Sequence, residues 1–156
     1  MFFFVFFVPQ WENLSHKGAK CTKPSNRTTM TENELATIAV DICYKIHTTL
    51  GPGLLEKVYE EAFCYELEKR NIPYLRQPEI PVYYEDRMLD VGFRADIIMA
   101  GKLLVELKSV EHLEKVHHKT VLTYLKVTEI KLGILVNFNV NLIKEGLHRK
   151  INGELF

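Results

Sequence analysis

Asp96, Glu106 and Lys108 are the residues whose types and spacing are best suited to chemistry, and they flank a short turn centred on Gly101. If the chain forms a hairpin there, facing residues have numbers that sum to 202, so Asp96 lies opposite Glu106. Facing residues of an antiparallel pair have Cβ atoms roughly 4.5–5.5 Å apart, and two like charges in that position are destabilising. A hard divalent cation compensates for this, because such ions bind one or two carboxylates together with waters and phosphate oxygens. The spacing therefore predicts a metal site.

Lys108 belongs with the two carboxylates, because residues two apart on a strand project from the same face. Glu106 and Lys108 therefore share one face, while Val105 and Leu107 project from the other. An ammonium group beside two carboxylates and a metal can orient a water and stabilise charge on a phosphoryl group, as phosphodiester hydrolysis requires. The alternative is an exposed Glu–Lys charge pair, which is what an isolated E-x-K pattern usually represents.

Two helices are predicted ahead of the hairpin. Thr31 and Glu34 form a capping box just before an apolar run with helical spacing, and this run ends at Gly51. A second helix is predicted over residues 54–69, and its apolar side consists of Leu55, Val58, Tyr59, Ala62 and Phe63.

A sheet is predicted to follow these helices. The predicted elements are strands over residues 80–84, 89–99 and 103–109, a helix over 113–127 and a buried strand over 132–138. The first three strands are expected to form an antiparallel meander. Residues 141–150 are compatible with either a strand or a helix. The order α-α-β-β-β-α-β predicts an α/β domain with a mixed sheet flanked by helices.

The 156 residues are enough for one domain, which we expect at residues 30–152 with a tail at 153–156. Residues 1–29 show a short Phe-rich start and then no periodicity, so we expect a poorly ordered leader, with Met30 as an alternative start. No apolar run approaches the roughly 20 residues that span a bilayer. The three cysteines show no metal-ligand spacing and fit a reducing compartment. We expect a soluble cytoplasmic protein without stable membrane association, unless the leading Phe side chains insert into a bilayer surface.

The charges are unevenly distributed along the chain, although they sum to zero. Residues 30–100 hold seven Lys and Arg against thirteen acids, and residues 101–150 hold nine Lys and Arg against five Glu. One interpretation is a solvated surface with no special role. The other is a basic flank that binds phosphates beside an acidic pocket that binds metal.

Four sequence blocks, in this order, resemble the GxxExxY family of the PD-(D/E)XK nuclease superfamily. The first is G-x-x-E-x-x-Y, formed by Gly53, Glu56 and Tyr59. The others are VGFRAD at residues 91–96, VELK at residues 105–108, and YLK at residues 124–126 followed by GILVNF at residues 133–138. The resemblance covers residues 31–150, and four ordered blocks are far more specific than any one of them.

This resemblance implies a restriction-endonuclease-like core and a nuclease that uses Mg²⁺ or Mn²⁺ to cleave nucleic acid, with DNA as the expected substrate. Asp96, Glu106 and the backbone carbonyl of Leu107 would ligate the metal. Lys108 would position the attacking water. Glu56 would supply a helix-borne acid near the metal; its alternative role is a solvent-facing acid that suits the helix dipole.

The resemblance also bears on Tyr59 and on the oligomeric state. Tyr59 lies three residues after Glu56 on the same side of the helix, so it would hold that carboxylate or contact substrate. Small nucleases often act as dimers in order to cut two strands, so a homodimer is one expectation, although no residue of the sequence marks an interface and the sequence leaves the oligomeric state open.

Thr120 is a departure from the pattern, because the family is expected to place a Gln there that reaches toward the active site. Lys119, His117 and His118 are candidate substitutes, and His117, Thr120 and Tyr124 share one helical stripe. His117, Lys119 and Tyr124 are therefore candidate substrate-binding residues. The rival hypothesis is a nuclease-like module that has lost turnover and binds nucleic acid or a protein partner.

Overall fold

The computed structural model describes residues 30–155, so the leader predicted for residues 1–29 lies outside the described part. The elements in chain order are α1 (Glu32–Leu50), α2 (Glu56–Lys69), β1 (Tyr74–Arg76), β2 (Glu79–Ile80), β3 (Tyr83–Tyr84), β4 (Arg87–Met88), β5 (Phe93–Arg94), β6 (Ile97–Met99), β7 (Leu103–Lys108), α3 (Lys115–Thr128), β8 (Leu132–Asn137), α4 (Ile143–Gly146) and β9 (Leu147–Ile151). No helix among these residues is long and apolar enough to cross a membrane.

A five-stranded sheet with the order β1-β6-β7-β8-β9 forms the centre of the domain. Strands β7 and β8 are parallel, and the other neighbouring pairs are antiparallel. The crossover between β7 and β8 is the helix α3, as a parallel connection requires. The predicted mixed sheet flanked by helices is therefore confirmed, and it is consistent with a restriction-endonuclease-like core.

The two faces of the sheet bury two separate apolar clusters. Helices α1 and α2 cover one face, where they pack on Leu103, Val105 and Leu107 of β7. Helix α3 covers the other face, where Val121 and Leu125 share a cluster with Leu104 of β7 and with β8. Because side chains alternate along a strand, Glu106 and Lys108 project from the face that α3 covers.

The predicted meander is partly wrong. The partner of β6 in the main sheet is β1 (Tyr74–Arg76), and residues 80–84 instead contribute to two small hairpin-like pairs, β2 with β5 and β3 with β4. The predicted long strand over residues 89–99 is broken into β5 and β6. Pro78 and Pro81 lack a backbone N–H and flank β2, which limits that strand to two residues.

Helix α1 matches its sequence signals. Thr31 and Glu34 form the predicted capping box, and Gly51 ends the helix with a positive φ of 69°. In α2 the buried Tyr59 and Phe63 agree with the predicted apolar side, but Leu55 is 77% exposed and Val58 is 41% exposed. Leu55 is the N-cap of α2, so it precedes the part of the helix that packs on the sheet.

The last segment, whose type the sequence left open, contains both kinds of structure. Helix α4 makes one turn, and β9 then pairs antiparallel with β8 at the edge of the sheet. Leu155, in the segment expected to be the tail, packs against the cluster beneath α1 and α2.

Candidate active site

The hairpin between β6 and β7 has the register predicted from its turn. Ile97 faces Val105, Ile98 faces Leu104 and Met99 faces Leu103, and each of these pairs sums to 202. The turn depends on positive φ angles at Ala100 (48°) and Gly101 (68°). Asp96 immediately precedes β6, which places it beside Glu106.

Asp96 is fixed across the hairpin by one hydrogen bond. Its Oδ2 accepts the backbone N–H of Leu107 at 2.7 Å. This bond holds the carboxylate against β7, one residue after Glu106. The two acids therefore lie close together on neighbouring strands, as the register argument requires.

Lys108 links the carboxylates. Its Nζ lies 2.9 Å from Glu106 Oε1, 3.7 Å from Glu56 Oε1 and 4.0 Å from Asp96 Oδ2. The same ammonium donates to the backbone carbonyl of Leu107 at 2.9 Å. The structure thus brings together all four residues predicted to be catalytic and the carbonyl predicted to be a metal ligand. We call Glu56, Asp96, Glu106 and Lys108 the acidic cluster.

Glu56 reaches the acidic cluster because the loop before α2 is tied to the end of β7. Ser109, which follows Lys108, donates from Oγ to the carbonyl of Leu54 at 2.6 Å. Glu56 is the first residue of α2, two positions further on. The first turn of a helix also favours an acid, because unpaired backbone N–H groups make that end positive.

Tyr59 has a different role from the one expected of it. Its hydroxyl donates to the carbonyl of Gly51 at 2.7 Å and accepts the N–H of Leu54 at 3.1 Å. Its ring is fully buried and stacks on Phe138 at 4.4 Å. Among the described residues Tyr59 makes no hydrogen bond to Glu56; it fastens the loop that leads into α2 to the sheet.

The charges of the acidic cluster are strongly coupled. Burial raises the pKa of Asp96 to about 7, and the negative charge of Glu106 adds to this, while the N–H of Leu107 opposes it. Burial also raises the pKa of Glu106, although Lys108 opposes that shift. Burial alone would lower the pKa of Lys108, but the adjacent Glu106 outweighs burial and the net shift is upward.

The residues of the cluster fit a hard divalent cation. Oε2 of Glu106 is buried and has no hydrogen-bond partner among the described residues, which is an unusual state for a buried carboxylate oxygen. Together with Asp96 and the Leu107 carbonyl it gives an all-oxygen donor set of the kind Mg²⁺ and Mn²⁺ prefer. Within residues 30–155 no group of three Asp, Glu, His or Cys side chains is arranged to hold an ion by itself. Such an ion would therefore depend on waters and phosphate oxygens, and the Lys108 ammonium would have to yield part of its contact with Glu106.

Helix α3 covers the sheet face from which Glu106 projects, and Tyr124 is the α3 candidate whose phenol is influenced by the charges of the cluster. The ring of Tyr124 stacks on Phe93 at 3.9 Å with an interplanar angle of 7°. Burial raises the pKa of Tyr124, and the negative charge of Glu106 raises it further. The structure thus brings Tyr124 toward the cluster.

The other candidates on α3 lie elsewhere. Nδ1 of His117 accepts the N–H of Glu114 at 2.9 Å, so this ring caps the helix. His118 packs edge-on against His148 of β9 with ring centroids 5.0 Å apart. Lys119 is exposed and Thr120 is half-buried. Among residues 30–155, neither a hydrogen bond nor an ion pair joins any of these side chains to the acidic cluster.

Sequence reasoning missed Phe93, Ser109 and Asn137. The buried Asn137 accepts the N–H of Val110 at 3.0 Å and donates to its carbonyl at 2.8 Å, which holds the chain just after Ser109. A polar residue inside the apolar run 132–138 was the available signal for Asn137. Phe93 and Ser109 gave no signal, because their partners are distant in the sequence.

A family model of the PD-(D/E)XK nuclease superfamily matches residues 33–150, which is well over half of the chain. The matched region contains Glu56, Asp96, Glu106 and Lys108. No curated protein and no solved structure matches the chain.

Proposed function

The chain belongs to the PD-(D/E)XK nuclease superfamily, and we propose that it is a divalent-metal-dependent nuclease that hydrolyses phosphodiester bonds in DNA. The observation that carries this proposal is the meeting of three carboxylates, from Glu56, Asp96 and Glu106, around the ammonium of Lys108. We also propose membership of the GxxExxY group, which rests on Gly53, Glu56 and Tyr59.

Asp96, Glu106 and the Leu107 carbonyl would hold the ion, for which Mg²⁺ and Mn²⁺ are the candidates. The unpaired Oε2 of Glu106 supports this assignment, because a bound cation would satisfy it. When bound, such an ion lowers the pKa of a water and neutralises charge on the phosphoryl group. Binding requires both carboxylates to be ionised, so the raised pKa of Asp96 makes ion affinity dependent on pH near neutrality.

Lys108 would position the attacking water. Its ammonium has three N–H donors, and the contacts with Glu106 and the Leu107 carbonyl orient two of them. The raised pKa of Lys108 keeps it charged at neutral pH, so it acts as an electrostatic and hydrogen-bonding group rather than as a base. Glu56, 3.7 Å away, would help hold the ammonium or accept a proton from the water.

Tyr124 would contact the substrate from α3. No described residue hydrogen-bonds to its hydroxyl, and its ring is held by the stack on Phe93. A phenol O–H that faces two carboxylates remains neutral and can donate to a phosphate oxygen or to a water. We include His117 and Lys119 as weaker candidates, because His117 uses one ring nitrogen as a helix cap and Lys119 is exposed.

The proposal is tested by incubating the purified protein with end-labelled single- and double-stranded DNA and RNA over a titration of Mg²⁺ and Mn²⁺. Cleavage by the wild type is expected to require metal and to be lost in Asp96→Asn and Glu106→Gln. Asp90→Asn is the matched control, because Asp90 is an exposed acid in the loop before β5. Cleavage that persists in both site variants would contradict the proposal.

The alternative is a nuclease-like module that binds nucleic acid or a protein partner without turnover. The specific observation in its favour is Thr120, which is too short to provide the contact expected of a Gln at that position. Calorimetry separates the two, because a pure binder need not take up Mg²⁺ through Asp96 and Glu106. Uptake of Mg²⁺ that both Asp96→Asn and Glu106→Gln abolish would favour the enzyme.

We further propose that the protein acts in the cytoplasm and as a homodimer. Cys43 and Cys64 are both buried and unpaired, which suits a compartment that keeps thiols reduced. A second copy would supply the second site needed to cut both strands of a duplex, and sedimentation analysis would show whether dimers form.

A further inference from the structure

Helix α3 carries positive charge with no acid to balance it inside the helix. Residues Lys115–Thr128 contain three lysines and no Asp or Glu. All three, Lys115, Lys119 and Lys126, are exposed. The acids nearest along the chain, Glu114 and Glu129, lie just outside the two ends of the helix.

The three lysines form one stripe. At about 100° of rotation per residue, positions 115, 119 and 126 fall within roughly 40° of one another around the helix. They span eleven residues, or about 16 Å along the helix axis at about 1.5 Å per residue. We call Lys115, Lys119 and Lys126 the lysine stripe.

The lysine stripe is unpaired, in contrast to cations elsewhere in the domain. Among residues 30–155, none of its ammonium groups lies within ion-pair distance of an acid. On the opposite side of the sheet, Lys45, Lys69 and Arg70 all approach the same carboxylate, that of Glu66. The charge on α3 is therefore available to an external anion.

Strand β9 adds a further cation beside the helix. His118 of α3 packs on His148 of β9, which joins the two elements. Burial lowers the pKa of both imidazoles, and the positive charge of Lys150 lowers them further. Lys150 therefore lies close to this junction, and the two histidines stay neutral at pH 7 and leave the lysines as the source of charge.

The lysine stripe lies outside the acidic cluster, on another side of the same helix. Helix α3 begins seven residues after Lys108 and covers the sheet face that bears Glu106. At about 100° per residue, Tyr124 is rotated by roughly 140–180° from the three lysines, so the stripe faces away from Tyr124 and lies toward the side of α3 on which His118 contacts β9. A polyanion bound to the stripe would thus contact the domain away from the scissile position, as contacts that fix register without reading sequence do.

We propose that the lysine stripe, together with Lys150, binds the phosphodiester backbone of double-stranded nucleic acid. The inference rests on the proposed nuclease function and deepens it by naming the substrate class. A rigid helix holds point charges at fixed spacing, which suits a stiff polyanion. Surfaces that bind single strands combine cations with exposed aromatic rings for base stacking, and no aromatic side chain accompanies the lysines on this stripe.

The test is fluorescence anisotropy of a labelled 20-base-pair duplex, and of its single strand, titrated with the full chain in EDTA so that no cleavage occurs. The triple variant Lys115→Gln, Lys119→Gln, Lys126→Gln is expected to bind duplex at least about tenfold more weakly at low salt. The slope of log affinity against log salt is expected to fall by about 0.9 for each phosphate that the variant no longer neutralises. The charge-preserving triple Lys→Arg variant should keep both affinity and slope. The exposed Lys144 on α4 supplies the matched control, Lys144→Gln, which should be neutral.

The outcomes separate this inference from the nuclease proposal. If the triple Gln variant binds duplex with unchanged affinity and slope, the stripe assignment is wrong, whether or not the wild type cleaves DNA. If the single strand binds as well as the duplex and is weakened equally by the triple variant, the duplex preference is wrong. If the triple Gln variant loses duplex binding while the wild type fails to cleave with any metal, the assignment of the lysine stripe as a duplex-binding surface is supported and the nuclease proposal is wrong.

Discussion

The carboxylate of Asp96 accepts the backbone N–H of Leu107 at 2.7 Å, across the hairpin that joins β6 to β7. This bond offsets part of the cost of burying the negative charge of Asp96. It also keeps Asp96 next to Glu106, although the two like charges repel each other. Burial is the main reason that the pKa of both carboxylates is raised, and the charge of Glu106 raises the pKa of Asp96 further.

Asp96 should make the stability of the metal-free protein depend on pH. Its pKa rises from an ordinary value of 3.8 to about 7 on folding, so the folded state binds the proton more tightly. The resulting stabilisation is complete below about pH 4 and is lost as pH rises to about 7, with a slope of at most about 1.4 kcal/mol per pH unit for one proton. Chemical denaturation of wild type and Asp96→Asn between pH 4 and 8 should show a shallower slope in the variant. An equal slope in both would contradict the assigned pKa, and Asp90→Asn serves as the control.

Removal of metal should lower the melting temperature more at high pH than at low pH. Protons and a divalent cation compete for Asp96 and Glu106, so ionisation of both acids favours binding. We expect a saturating concentration of Mg²⁺ to raise the melting temperature more at pH 8 than at pH 6. Excess EDTA should abolish the increase. An equal increase at both pH values, or one that survives in Glu106→Gln, would show that the ion binds elsewhere.

Lys108→Met should separate metal binding from turnover. The ammonium contacts three carboxylates in the metal-free protein. Its removal should lower the free energy of unfolding by about 3 kcal/mol, because the buried charge of Glu106 is left unpaired. Cleavage should be abolished, whereas Mg²⁺ affinity measured by calorimetry should rise, since no ammonium competes for Glu106. Lys144→Met is the control. A fall in Mg²⁺ affinity would mean that Lys108 supports the ion site rather than competing with it.

Tyr59→Phe should lower the stability of the protein, and any loss of activity should follow from that. The variant keeps the ring stack on Phe138 but lacks the hydroxyl that bonds to Gly51 and Leu54. We expect the free energy of unfolding to fall by about 1–2 kcal/mol, and activity to fall as well because Glu56 follows directly after this loop. Tyr65→Phe is the matched control, because Tyr65 lies on the same helix and is 59% exposed. A variant as stable as wild type but with weaker DNA binding would restore Tyr59 as a substrate contact.

The sequence predicts the hairpin well because the information there is local. A turn that requires positive φ at Gly101 sets the register, and alternation along β7 then places Glu106 and Lys108 on one face. The helix boundaries at Thr31 and Gly51 follow from capping chemistry that acts over four residues. These features needed no knowledge of the rest of the chain.

The parts that sequence reasoning missed depend on distant partners or on very short elements. Strand β1 has three residues, which is too few to show a period of two. Glu56 was expected near the metal only through the family resemblance, because it is 52 positions from Lys108 and their contact exists only once α2 is docked on the sheet. Phe93 and Tyr124 are likewise paired by the fold alone.

Tyr124→Phe tests whether the phenol of α3 takes part in the reaction. The ring should keep its stack on Phe93, so the free energy of unfolding should change little. The charge of Glu106 contributes to the raised pKa of the phenol, and this keeps the hydroxyl protonated as a donor throughout the neutral range. Without that donor we expect kcat to fall by about tenfold or more, with less change in KM, because a donor that acts on developing charge contributes mainly in the transition state.

The pH profile distinguishes a reacting hydroxyl from a structural one. If the phenol donates during catalysis, the wild type should become less active at high pH as Tyr124 ionises. The activity of Tyr124→Phe should not show this fall at high pH, but it should keep the rise that accompanies ionisation of Asp96. Tyr44→Phe is the control, because Tyr44 is an exposed phenol on α1. If Tyr124→Phe cleaves at the wild-type rate with the same profile, then α3 contributes no donor in place of the missing Gln, and catalysis must be assigned to the acidic cluster by itself.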